Sequence, residues 1–289
     1  MLKTLDFIVE KIIFICGMVS IIFVILIFSF LFEESLSFFK DFGVFKFIRG
    51  YFWYPSSNPA SFGVLPLIVG SVFVTIGACA IAVPIGVMTA LFISEIAPKC
   101  IREILKSLVE IIAAIPSVVI GFIGMITLVP LVRSIFNLPT GLTAFSGSIM
   151  LAFMAIPTIV TISEDAIRSV PWQYKQGALA LGATKWQTLR RIILKAAMPG
   201  IIAAVMLGIG RVIGETMVVM MITGNAAHIP HSVFEPVRTM TATIAAEMGE
   251  TVRGSMHYKS LFAIGLVLFL ITFLINFIAD LFLGKNKNI

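Results

Sequence analysis

Glu164–Met198 reads EDAIRSVPWQYKQGALALGATKWQTLRRIILKAAM, a basic, helix-prone stretch between two apolar segments, each long enough to cross a bilayer. It carries Arg168, Lys175, Lys185, Arg190, Arg191 and Lys195 around a core, GALALGAT, that is rich in small residues. A chain built for lipid has little reason to place such a segment between two spans unless something docks on it. Its position decides how the flanking apolar runs are counted and on which side of a membrane each loop falls.

Outside this island the chain is greasy: 59% hydrophobic and 12% charged, with mean hydropathy +1.06. Soluble domains carry roughly 25% charged residues. Crossing a ~30 Å hydrocarbon layer takes about 20 apolar residues in a helix. Six segments meet that length, at about 12–32, 65–94, 111–132, 145–163, 199–223 and 260–279. Backbone groups in lipid must bond within their own segment, which makes these runs helices. The short alternating segments of an outer-membrane barrel do not occur in the sequence. The expected fold is an all-α integral membrane protein of six transmembrane helices, one transmembrane domain over 1–289. A cytosolic loop is expected at 164–198 and external loops at 33–64 and 224–258.

Lys and Arg orient the bundle. With the N-terminus inside, the cytosolic pieces hold Lys3, Lys11, Lys99, Arg102, Lys106, the six island residues, Lys285 and Lys287. The other side holds Lys40, Lys46, Arg49, Arg133, Arg238, Arg253 and Lys259. Thirteen cations against seven put both termini and the island in the cytosol. The net charge of +6 is spread over loops rather than gathered on one face, so it does not imply nucleic acid. The first apolar run exceeds a signal-peptide core and lacks an A-x-A-like site after it, so it reads as an uncleaved span. Cys16, Cys79 and Cys100 give neither a disulfide framework nor a metal spacing.

Several chemistries are excluded. No G-x-x-x-x-G-K-[ST] occurs, so the chain has no P-loop. Gly208, Gly210 and Gly214 sit inside an apolar helix with no preceding strand, and Gly210 and Gly214 read as small residues for close helix approach. His228 and His231 flank Pro230 without a third ligand, a poor metal pair. Ser117, Ser146 and Ser163 lack a His and an acid placed to activate a nucleophile. The chain is not read as an enzyme.

Arg211 falls near the middle of the fifth apolar run. A central arginine costs at least ~2.5–3.5 kcal/mol on insertion scales. Glu215 follows one turn later, and an i, i+4 pair would offset part of that cost. The alternatives are a structural pair or an arginine facing a wet pathway, where its planar fork suits phosphate-like oxyanions. Thr216, Ser117, Thr158 and Thr161 are candidates for the same route. Ser117 and Thr158 each follow a proline, which frees backbone carbonyls and can break helices near a binding region. Glu110 and Asp280 read as interfacial charges.

The island's middle resembles the cytosolic loop of ABC importer permeases, whose form is EAA, three residues, G, nine residues, I-x-LP. The matching positions are Gln176, Gly177 and Ala178, then Gly182, then Ile192 nine residues on. Gln176 stands for Glu, Gly177 for Ala and Lys195 for Pro. IPSVVIGFIG, IPTIVTISEDAIRSVP, LGIGRVIGETMVV and MTATIAAEMGE…HYKSLFAIGLVLF extend the likeness to the PstC-type permease subunit of phosphate ABC importers. This resemblance implies the type I importer permease fold. It implies a coupling helix in which Gln176, Gly177, Ala178, Leu179, Ala180, Gly182, Ala183 and Thr184 meet an ATPase subunit. It also implies the partners: a PstA-type permease, two PstB-type ATPases that bind the ATP and Mg, and an external phosphate-binding protein. It supports a place for Arg211 and Glu215 near the translocation route. No cofactor is expected in this chain itself. Importers of sulfate or molybdate share the fold and remain open on spacing. An ion-coupled transporter or anion channel would predict an inverted repeat or a ring of charges, and a pathway-free anchor would leave Arg211 unexplained.

Overall fold

The computed structural model describes the backbone of residues 2–286 and the side chains of residues 7, 9–278 and 281. The side chains of Lys3, Asp280, Lys285 and Lys287 lie outside that range. Helix α1, Leu2–Phe42, has no proline and a single internal glycine, Gly17. Its residues from Ile12 to Ile27 are exposed on every side, as lipid-facing helices are. It pairs with the last helix, α13 (Met256–Asn286). The aromatic contacts Phe28–Phe269 and Phe30–Phe262 join the two.

After α1 come α2 (Val44–Arg49) and a hairpin of β1 (Trp53–Tyr54) with β2 (Ser61–Phe62), antiparallel, Trp53 opposite Phe62. Then follow α3 (Leu65–Leu91), closed by a π-helical turn at Phe92–Ile96, and α4 (Lys99–Ala114). The chain continues through α5 (Ser117–Ile126), α6 (Leu128–Ile135) and α7 (Ala144–Arg168). Next are α8 (Trp172–Ala180) and α9 (Lys185–Thr188), which a π-helical turn joins to α10 (Leu194–Gly214). The last helices before α13 are α11 (Met217–Ile222) and α12 (Met240–Glu247).

The core is the contact of α3 with α7. On α3 the buried residues Gly70, Val74, Ala78, Ala82, Gly86 and Ala90 recur every four positions, a row of small side chains that lets two backbones approach. Helix α10 packs its own row, Ala197, Ile201, Ala204, Gly208 and Val212, on the same assembly. Ile159 of α7 is wedged between two glycines. A Cβ at Gly86 would lie 2.8 Å from its Cγ2, and one at Gly208 would lie 2.6 Å from its Cγ1. A second cluster, with Phe38, Phe47, Trp53, Phe62 and Leu261, closes the end bearing the hairpin and α12. A third, with Ala90, Ile167, Leu189 and Ile193, closes the end bearing α8 and α9.

Among the described residues six helices are long and apolar enough to cross a membrane, but several boundaries differ from those expected. The third span is Ser117–Ile135, not 111–132. Pro116 forces Ile115 out of the helical region, to φ −69° and ψ 127°. Residues 111–114 therefore end α4, an amphipathic helix with no buried residue. The expected external loop at 33–64 is helical to Phe42, and the one at 224–258 holds α12 and the first turn of α13. The expected cytosolic loop at 164–198 is shorter. Its second half, from Lys185, begins the fifth span, which runs unbroken to Gly214. Residues 215–223 do not continue that helix, because Glu215 is extended (φ −70°, ψ 132°).

Candidate functional site

The break at Glu215 changes what Arg211 meets. The two residues do not form the expected i, i+4 pair, and among the described residues no carboxylate lies within salt-bridge distance of Arg211. Its Nη1 instead donates to Thr158 Oγ1 on α7 at 2.9 Å. Glu215 turns the other way. Its Oε1 accepts from the backbone N–H of Met217 (3.0 Å) and Val218 (3.3 Å), satisfying the start of α11. Its carbonyl accepts from Thr241 Oγ1 at 2.9 Å, which ties the break to α12. The Thr216 hydroxyl donates to Gly214 O at 3.3 Å.

Arg211 shares its helix face with Leu207, Gly210 and Gly214, all exposed. A Cβ at Gly210 or Gly214 would meet nothing within 4 Å. A Cβ at these two glycines meets nothing among the described residues, whereas Gly208 packs on Ile159. The uncovered strip leaves the guanidinium reachable. Arginine carries five N–H donors, and the Thr158 bond uses one. Ser117 and Thr161 are half-buried, make no side-chain hydrogen bond among the described residues, and are not joined to Arg211.

At the opposite end of α10 the island folds into α8 and α9. Helix α8 ends in a Schellman cap. Gly182 N–H donates to Leu179 O (3.0 Å) and Ala183 N–H to Ala178 O (3.1 Å), with Gly182 at φ +82°, a conformation glycine adopts without strain. The glycine of the motif is thus a helix stop. Gln176, Gly177, Leu179, Ala180, Gly182 and Thr184 are exposed, Ala183 is half-buried, and Ala178 is turned into its own chain at 5% exposure. Ala178 therefore seats α8 rather than offering itself outward. Thr184 caps α9 through a box with Gln187. Leu181 beside the cap is 91% exposed, and Trp172, Tyr174 and Trp186 are exposed around it, an apolar face with no cover in this chain.

Polar ties anchor this end. Lys175 of α8 pairs with Glu95 in the last turn of the second span. Arg102 of α4 donates to Ile93 O (2.8 Å) and Ser94 O (2.9 Å) in the same turn. At the far end the Glu247 carboxylate gathers Trp53 Nε1 (3.1 Å), Arg238 Nη1 (2.8 Å) and His257 Nε2 (2.8 Å). Close by, the His231 backbone N–H donates to Glu235 at 3.0 Å, with His228 at 3.4 Å. That backbone bond is the largest cause holding the Glu235 carboxyl below its ordinary range; desolvation opposes it, and the His228 bond and the charges of both imidazoles add to the lowering. His228 and His231 thus serve one carboxylate. Sequence reading missed these ties, since Lys175 and Trp53 carry no local motif and their partners, Glu95 and Glu247, lie 80 and 194 positions away.

Residues 82–286 match the family described as binding-protein-dependent transport system inner membrane component. The chain belongs to that family. The permease is 40% identical over 261 residues to a probable ABC transporter permease, YqgH of Bacillus subtilis, covering 90% of this chain and 84% of that one. It is 37% identical to the phosphate transport system permease PstC of Mesorhizobium japonicum, covering 86% and 81%. The likeness to PstC-type permeases read from the sequence is therefore shown over most of the chain. Among solved structures it resembles a bacterial alginate ABC transporter chain (TM-score 0.63, 16% identity, 93% of each chain). It also resembles the inward-facing methionine transporter MetNI (TM-score 0.57, 21% identity, 78% of this chain and 94% of that one). The fold is that of type I ABC importer permeases, and the permease is a multi-pass inner-membrane protein of an ABC importer.

Proposed function

We propose that this permease is the PstC-type half of an ATP-driven importer that moves inorganic phosphate into the cytoplasm. One observation carries the reading. Arg211 stands at the end of a membrane-crossing helix, on an uncovered face, held by a neutral hydroxyl and, among the described residues, by no carboxylate. A guanidinium so placed keeps its charge and most of its fork for an oxyanion. Thr158 orients it, and Glu215 shapes the break in the route beside it rather than neutralising it. Curated PstC relatives at 32–37% identity support phosphate over other oxyanions.

The energy comes from outside the chain. The uncovered apolar face of α8, with Gln176, Gly177, Leu179 and Ala180, is the seat of a PstB-type ATPase; two such subunits bind the ATP and Mg, and this chain hydrolyses nothing. A PstA-type permease covers the Arg211 face across a shared pathway, and an external phosphate-binding protein delivers substrate to the end bearing the hairpin and α12. The island and both termini face the cytosol, a placement that the cation count supports.

The test is phosphate uptake by the four-component complex in proteoliposomes, with sulfate and molybdate as competitors. Arg211→Ala abolishes uptake in an assembled complex, and Arg211→Lys retains part of it. Uptake without ATP, uptake by this chain alone, or normal uptake in Arg211→Ala sinks the proposal. Preferential uptake of sulfate or molybdate sinks phosphate alone.

A further inference from the structure

Glu164 is 2% exposed near the end of α7, and a carboxylate so buried needs partners that offset its lost hydration. It has two. Lys106 Nζ reaches Oε2 from α4 at 3.1 Å, and Arg168 Nη1 reaches Oε1 from one turn along α7 at 3.0 Å. Arg168 alone neutralises the charge, within one helix. The Lys106 bond does something else: it fastens α4, none of whose residues is buried, to the core helix α7.

The other polar ties complete a frame. Arg102 of α4 holds two carbonyls of the π-helical turn ending the second span. Lys175 of α8 pairs with Glu95 in that turn. Beneath them Ala90, Ile167, Leu189 and Ile193 pack the second span, α7 and the start of the fifth span together. Helix α8 thus has a continuous route into three spans. The third span packs directly on α7 and α11, and α4 adds a second route to it, since α4 enters α5 across Ile115 and Pro116. Arg102 ties α4 to the end of the second span, and the Lys106 bond is the polar tie that joins it to α7 itself.

We infer that Glu164 is a positioning residue for energy coupling: by clamping Lys106 it makes α4 move with α7, so that displacement of α8 reaches the third span. This rests on α8 being the ATPase seat. The clamp is selective between its two cations. Lys106 carries the coupling and Arg168 carries the neutralisation.

The experiment measures phosphate moved per ATP hydrolysed in the reconstituted complex, alongside complex yield. Lys106→Met leaves Glu164 paired with Arg168, keeps assembly and basal ATP hydrolysis, and lowers the ratio about tenfold, the factor equal to about 1.4 kcal/mol. Lys106→Arg restores the ratio, and Arg168→Met leaves it unchanged. An unchanged ratio in Lys106→Met overturns the inference. So does a loss that follows complex yield, or one that Lys106→Arg does not reverse. If the native complex hydrolyses ATP but moves no phosphate, the proposed function fails instead, which separates the two.

Discussion

Replacing Glu247 with alanine tests the polar cluster that closes the end opposite α8. The carboxylate is the shared acceptor for Trp53, Arg238 and His257, with 13% of its side chain exposed. Arg238 Nε is already buried without a partner, so the guanidinium has little in reserve. A donor left without its acceptor costs about 1–3 kcal/mol, and more when charged. Arg238 and His257 keep 20% and 22% of their side-chain surface, so water recovers part of the loss. A net cost of about 3 kcal/mol remains, roughly a hundredfold shift toward local opening. Trp53 reports that opening. It is 1% exposed, whereas the other two tryptophans, Trp172 and Trp186, are 59% and 64% exposed at the far end. With both replaced by phenylalanine, Glu247→Ala should shift Trp53 emission to the red and raise its quenching by acrylamide. Amide exchange should rise over residues 53–62 and over α12, and Glu247→Gln should fall between. If Trp53 stays shielded and exchange is unchanged in Glu247→Ala, the hairpin is held by apolar packing alone and the reasoning fails.

Gly182→Val should weaken retention of the ATPase by the complex, because φ +82° costs a non-glycine residue about 1–2 kcal/mol. A Cβ there meets nothing within 4 Å, so Gly182→Asn, which tolerates this conformation, should co-purify nearly as the native protein does. Gly208→Ala should lower thermal stability by about 1–3 kcal/mol through overlap with Ile159, and should cost less when introduced into an Ile159→Ala background; an equal cost in both backgrounds would refute the wedge. The Glu235 carboxyl is lowered by folding, so the stabilisation it gives is full above the ordinary carboxylate range and is lost as pH falls through the lowered folded value. Amide exchange at His231 should therefore rise on acidification through that window, and Glu235→Gln should flatten the dependence.

How far the sequence could be read depended on the range of each interaction. Hydrophobic run length alone identified six spans, because the energy of a span is a local sum over about 20 residues. The spacing from Gln176 to Ile192 marked the segment that folds as α8, but Gly182, Ala183 and Thr184, expected within that helix, lie beyond its end at Ala180, where Gly182 at φ +82° stops it. Pro116 was visible but its consequence was not. The run 111–132 is uniformly apolar, and only the backbone shows that α4 ends before the proline.

The candidate site was half legible. Arg211 stood out because a charge in an apolar run carries a cost that needs a reason. Its pairing did not stand out, because i, i+4 geometry assumes an unbroken helix and the helix breaks at Glu215. The partner, Thr158, lies 53 positions away. The sequence by itself determined the membrane class, the number of spans and the place of α8, all set by interactions along the chain. Only the tertiary structure decided which groups meet Arg211, Glu215, Glu164 and Glu247. The long-range ones, Arg211 with Thr158, Glu164 with Lys106 and Glu247 with Trp53, join separate elements brought together by packing such as Ile159 between Gly86 and Gly208, where distance along the chain carries no information.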